Sequence, residues 1–140
     1  MHSVVLDTNV VIAALRSQRG ASFAILRRLG QGWVPLISVP LILEYEAVGK
    51  REAQRLRIPE GTVEAIIRAF CFMGRETDIH FRLRPFLPDP GDEFLLELTV
   101  AGRADAIVTH NVRHFVGIER FGIRVLTPRE FLGTIEREGI

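Results

Sequence analysis

Four acidic or amide-bearing positions in this sequence could do chemistry together, although they are far apart along the chain: Asp7, Glu44, Asp92 and Asn111. Asp7 interrupts the apolar run Val4-Val5-Leu6-Asp7-Thr8-Asn9-Val10-Val11, where a carboxylate is costly to desolvate unless something compensates it. Helical spacing puts Glu44 on the same face as Leu41, Ala47 and Val48, so it points inward. Glu46 instead has Lys50 four residues on, the arrangement of a solvated surface pair. Asp92 begins a helical run in Asp89-Pro90-Gly91-Asp92-Glu93-Phe94, with Asp89 read as a loop residue, and Thr109 and Asn111 follow the apolar strand Ala106-Ile107-Val108. Each acid also has a plain structural role open to it: Asp7, Asn9 and Asp92 can cap the helices that follow them. Three acids gathered at one edge would require a cation, and an all-oxygen ligand set without thiolate selects Mg²⁺ or Mn²⁺ over zinc. His110 and His114 stand at helical spacing but have no third ligand nearby, so they make a weak alternative metal site.

The elements that must position these residues alternate β and α. Strands are expected at Ser3 to Leu6, Trp33 to Ser38, Ala106 to Thr109 and Arg124 to Leu126, and helices at about 10–17, 21–29, 40–49, 59–72, 93–101 and 128–137. Strands without polar alternation belong to a parallel sheet covered on both faces, and ligands of such sheets sit beyond the carboxyl ends of the strands. By that rule Asp7 and Thr109 share an edge, whereas Asp105 precedes its strand and would have to reach the site from the wrong end. Thr77 to Asp92 reads as a loop.

The 140 residues, 47% of them hydrophobic, fit one domain, 1–140, with a core that needs no staples. The single cysteine, Cys71, lies in an apolar-rich run and is expected to be buried, as are Phe70, Phe72, Phe94 and Trp33. No stretch approaches the roughly 20 apolar residues of a membrane span, and a strand-like start in place of a signal peptide suggests a cytoplasmic protein without membrane contact. The net charge is only +1, but all 18 basic residues except Lys50 are arginine, a side chain suited to forked contacts with phosphate. Lys50, Arg51 and Arg55 form a basic strip just past the helix carrying Glu44, and Arg16 with Arg19 is a weaker candidate. A solvated helix end explains the strip equally well.

Leu6-Asp7-Thr8-Asn9-Val10, Ser38 followed by Glu44, Asp92, and Val108-Thr109-His110-Asn111, in this order, resemble the PIN domain family over nearly the whole chain. They are most similar to the members that serve as toxin components of toxin-antitoxin pairs. The resemblance implies a three-layer α/β/α sandwich with a central parallel sheet, a Mg²⁺ or Mn²⁺ site, RNA as the substrate of a metal-dependent endoribonuclease, an antitoxin protein as partner, and a homodimer. It makes Asp7, Glu44 and Asp92 metal-binding acids, with Thr8, Asn9 and Thr109 supporting them. Where many members carry a fourth aspartate, this chain has Asn111, which can hold a metal-bound water but removes a charge. Asn111 ranks above Asp105 for that place. The alternative is a catalytically weak or inactive PIN-like module that binds RNA or an antitoxin. A phosphatase with an aspartyl nucleophile would need a second aspartate two residues after Asp7, where this chain has Asn9.

Overall fold

The computed structural model describes residues 1–78 and 93–138. Five strands, β1 (His2–Leu6), β2 (Trp33–Ile37), β3 (Arg75–Glu76), β4 (Ala106–Val108) and β5 (Arg124–Leu126), form one sheet in the order β3-β2-β1-β4-β5, and every pairing is parallel. Among the described residues six α-helices flank it: α1 (Thr8–Arg16), α2 (Ala21–Arg27), α3 (Val39–Leu56), α4 (Glu60–Met73), α5 (Glu93–Ala101) and α6 (Pro128–Arg137). This is the expected α/β/α sandwich. The chain moves outward from β1 through β2 to β3, then returns to lay β4 against the other side of β1. Right-handed crossovers therefore put α1 to α4 and α5 on opposite faces. The reversal between β1 and β4 makes their carboxyl ends the switch point where an open parallel sheet leaves a crevice.

The covered strands show no polar alternation because both faces are dry: Val4, Val5, Leu6, Ile107 and Val108 are fully buried. Under α3, α4 and α6 lies an aromatic cluster, with Trp33 edge-on to Phe70 at 6.3 Å and to Phe131 at 6.1 Å, and Tyr45 edge-on to Phe70 at 5.6 Å. The indole N–H donates to the Ile25 carbonyl at 3.0 Å, so Trp33 is core as expected and leaves no buried donor unmet.

Four expectations are corrected. Helix α3 does not end at 49 but runs to Leu56, because the charged residues after Gly49 are good helix formers. Gly49 sits inside the helix at its crossing with α4, where an added Cβ would stand 2.9 Å from Val63 Cγ1. The basic strip therefore belongs to the last turns of α3 itself, and the helix stops at Arg57 in the left-handed conformation. Second, β3 was not expected, since Arg75 and Glu76 carry no strand signal; its two residues take up the outer edge of β2. Third, Phe72 is 87% exposed: helical rotation turns it away from the core that Phe70, two positions earlier and 1% exposed, enters. Fourth, the same rotation exposes Cys71. Among the described residues no helix is long and apolar enough to cross a membrane.

Phe70 and Phe72 give a direct test of this rotation. Phe70→Ala is expected to cost about 3–5 kcal/mol in urea unfolding, and Phe72→Ala to stay within about 0.5 kcal/mol of the parent. Equal losses would mean that the helix face is misassigned.

Candidate metal-binding cleft at the sheet switch point

Asp7 follows β1 directly and its backbone N–H donates to the Val108 carbonyl at 2.9 Å, so pairing with β4 extends one residue into the site. It occupies the N-cap position of α1, yet its side chain makes no capping hydrogen bond. The carboxylate is directed across the sheet instead. Its Oδ2 accepts from the Thr109 hydroxyl at 2.8 Å and from the Asn9 amide at 3.3 Å, while the residue is only 8% exposed. Capping alone does not account for Asp7.

Glu44 reaches the same place from α3. It is half-buried on the inward face, as expected, and its Oε2 accepts from the Thr8 hydroxyl. Glu46 stays outside and pairs with Lys50 at 3.7 Å. Helix α3 is aimed by Ser38, whose hydroxyl caps the Leu41 N–H at 3.3 Å. Thr109 is fully buried and ties the floor together, donating to Asp7 and accepting from the Asn111 N–H at 3.0 Å, while the Asn9 Oδ1 accepts from the His110 N–H at 3.3 Å. A cleft of about 370 Å³ opens over this network, bordered by Asp7, Thr8, Asn9, Glu44 and Asn111, with Phe94 and Leu95 from the first turn of α5 on one wall.

The donor set fits a hard divalent cation. Two carboxylates from distant segments share one cleft with the hydroxyl of Thr8 and the amides of Asn9 and Asn111, Arg16 and His114 stand on its border, and no thiolate lines it. Among the described residues no three His, Cys, Asp or Glu side chains gather closely enough to hold a metal. Asp92, the third expected acid, lies outside the described residues, as does Asp89; α5 begins at the next position, Glu93.

Other expected positions fall elsewhere. Asp105 is exposed at the opposite edge of the sheet, where its carboxylate accepts from the Ser3 N–H at 2.8 Å. It clamps the start of β4 to β1 and cannot replace a ligand at the carboxyl end. Lys50 pairs with both Glu46 and Glu64 at 3.7 Å, and Arg55 with Glu52, so two of the three basic-strip residues are partly neutralised on the protein. Arg51 is exposed without an ion pair among the described residues. Hydrogen bonds first from Arg55 and then from Arg16 pull the Glu52 carboxyl down to about 2. This links the last turn of α1, through Arg16 at 2.8 Å, to α3. The two histidines diverge: His114 borders the cleft, while His110 Nε2 lies 3.3 Å from the Ser22 hydroxyl and its pKa is lowered by burial.

Tyr45 is the site residue that sequence reasoning missed. It is buried beneath the cleft and donates to the Leu6 carbonyl, the residue before Asp7. Its position four residues after Leu41 on the inward face of α3 was the available signal. Burial first, then the charges of Asp7 and Glu44, raise its pKa well above the ordinary value. It remains a neutral donor that orients the end of β1.

Because Tyr45 is the only tyrosine, its ionisation can be read alone. The folded protein is expected to show phenolate absorbance only well above the usual value near 10, with a return to that value in denaturant. A raised pKa for an acidic group means that the folded state holds the proton longer. The Tyr45 contribution to stability is therefore full below about pH 10 and falls as pH rises past it. A normal titration in the folded protein would show that Tyr45 does not lie under the two carboxylates.

A search of curated proteins finds no match to the chain. The family model described as PIN domain matches residues 3–113, a span that contains Asp7, Thr8, Asn9, Glu44, Thr109 and Asn111. PIN domains are in general nucleases with a divalent-metal requirement, which agrees with the two carboxylates gathered here. The chain belongs to the PIN domain family.

Proposed function

We propose that this protein is a Mg²⁺- or Mn²⁺-dependent endoribonuclease that hydrolyses RNA phosphodiester bonds, and that it is the toxin component of a toxin-antitoxin pair. The observation that carries the nuclease reading is the convergence of Asp7 and Glu44 on one cleft at the β1/β4 switch point, with their carboxylates hydrogen-bonded to neutral hydroxyl and amide groups. The toxin assignment rests on the order and spacing of the sequence motifs.

Asp7 and Glu44, joined in this reading by Asp92, would hold the cation. When bound, such a cation polarises a phosphate and lowers the pKa of water. The chain's own residues set the stage for that chemistry. Thr109 and Asn9 both bind Asp7 Oδ2, which fixes the plane of the carboxylate, and Thr8 does the same for Glu44. Glu44 or Asp92 accepts the proton of the attacking water, and Asn111, at the cleft edge, orients that water without adding charge. The apolar wall of Phe94 and Leu95 excludes bulk water from one side. Arg51 on α3 is the basic-strip residue best placed to take a substrate phosphate, since Lys50 and Arg55 already have carboxylate partners. The neutral Asn111 supports a second reading, a module that grips RNA or an antitoxin with little cleavage.

The test is cleavage of single-stranded RNA with Mn²⁺ against EDTA, with Asp7→Asn and Thr109→Val alongside. Cutting is expected only with metal; Asp7→Asn should reduce it to background, and Thr109→Val, which loosens a ligand without removing it, should lower it by about 10- to 100-fold. Mn²⁺ should raise the melting temperature of the parent and not that of Asp7→Asn. Metal-independent cutting, or equal cutting by Asp7→Asn, would reject the nuclease. RNA binding and a Mn²⁺ melting shift without any cutting would favour the second reading. The antitoxin and the homodimer, parts of the same proposal, are tested by co-expression with the adjacent reading frame and by light scattering.

A further inference from the structure

Beside the acidic cleft lies a second cavity of about 450 Å³, between the end of α1, the start of α2 and the start of α6. Its polar lining is of the opposite kind: Arg16, Ser17, Ser22, His110, Thr127 and Arg129, with no carboxylate among the described lining residues. The two spaces are neighbours by two separate links. Arg16 borders both, and His110 donates its backbone N–H to Asn9, which itself donates to Asp7.

We propose that this cavity receives the phosphate next to the scissile one on a bound RNA strand, with Arg129 and the His110–Ser22 pair as its contacts. The inference rests on the nuclease reading above. Arg129 is exposed and makes no ion pair among the described residues, so its charge is available; Arg16, by contrast, is shared with Glu52 at 2.8 Å. Ser22 is a hydroxyl only 4% exposed that lies 3.3 Å from His110 Nε2. Whichever of the two donates within that pair, the other keeps an N–H or O–H, so the pair always offers a donor. A cavity with guanidinium, imidazole and hydroxyl donors and no acid suits an anion, just as the adjoining acids suit a cation. A phosphodiester strand is the ligand that needs both at once, because it carries one negative charge per nucleotide and the charge next to the bond being cut must be placed somewhere.

The experiment measures binding of a labelled single-stranded oligoribonucleotide by fluorescence anisotropy, in EDTA so that nothing is cut, across a salt series. It compares the parent protein with Arg129→Gln, Ser22→Ala and Arg103→Gln, the last lying in the turn before β4 at the far edge of the sheet. Loss of one phosphate contact should reduce the slope of log affinity against log salt by about 0.7 in Arg129→Gln and leave it unchanged in Arg103→Gln. Ser22→Ala should weaken binding severalfold with the slope retained. A single methylphosphonate linkage, scanned along the strand, should weaken the parent at one position and cost Arg129→Gln nothing there. Parent-like slopes in Arg129→Gln, equal losses in Arg103→Gln, or displacement of the RNA by a few millimolar inorganic phosphate without dependence on Arg129 would overturn the assignment. Failure of the nuclease reading looks different: the RNA is held through Arg129 but is not cut when Mn²⁺ is added. A parent protein that does not hold the oligonucleotide at all would end both.

Discussion

Asp7 stands at the buried end of the central strand β1, with its carboxylate held across the sheet by the hydroxyl of Thr109. A charge so little exposed is strongly unfavourable unless hydrogen bonds and an opposite charge compensate it, and the structure invests several elements in supplying the hydrogen bonds. Thr109 is available because β4 pairs with β1 in a register that sets Leu6 against Val108. Asn9 is available because α1 starts at Thr8, with only Asp7 between it and the end of β1. Tyr45 holds the Leu6 carbonyl from below and brings α3, and with it Glu44, over the same point. Removal of that constraint would leave little reason for these four segments to meet where they do.

The topology supplies the space in which they meet. A sheet that grows to one side as far as β3 and then returns to place β4 beside β1 has crossovers leaving in opposite directions at one point, and no helix can cover the gap between them. The carboxyl ends of β1 and β4 border that gap. Asp105 shows the same rule from the other side: it lies on the same strand as Thr109, but at the amino end, where it becomes a clamp on Ser3.

Charge is divided unevenly around this point. Both carboxylates border the cleft, whereas the adjoining cavity between α1, α2 and α6 has donors and no acid among its described lining residues, with Arg16 on the border of both. On α3, Lys50 and Arg55 are already engaged with Glu46, Glu64 and Glu52. A count of basic residues along the chain overstates what α3 offers to phosphate, because exposed ion pairs of this kind contribute little stability but do occupy the cation.

Much of this was legible from residue types alone. Apolar runs without alternation meant buried parallel strands, since only strands covered on both faces dispense with polar positions. The inward face of α3 followed from the 3.6-residue period, which separated Glu44 from Glu46 correctly. Local periodicity is less informative where a decision depends on a neighbour far along the chain. The helix expected to end at Gly49 runs on, and the glycine there meets the close approach of Val63, where a Cβ would be crowded. Phe72 and Cys71 looked buried by composition, and the rotation of α4 relative to the sheet exposed them. Arg75 and Glu76 became a strand only because β2 had an open edge. The sequence by itself determined the covered parallel sheet, the inward face of α3 that carries Glu44 and the strand ends that carry Asp7 and Thr109, because those depend on hydrophobic period and position within each element. The tertiary structure alone decided that Tyr45 lies under two carboxylates, that Asp7 is held by Thr109 rather than capping α1, and that His110 turns to Ser22. Each of those depends on a register or a crossing between segments that no local pattern encodes.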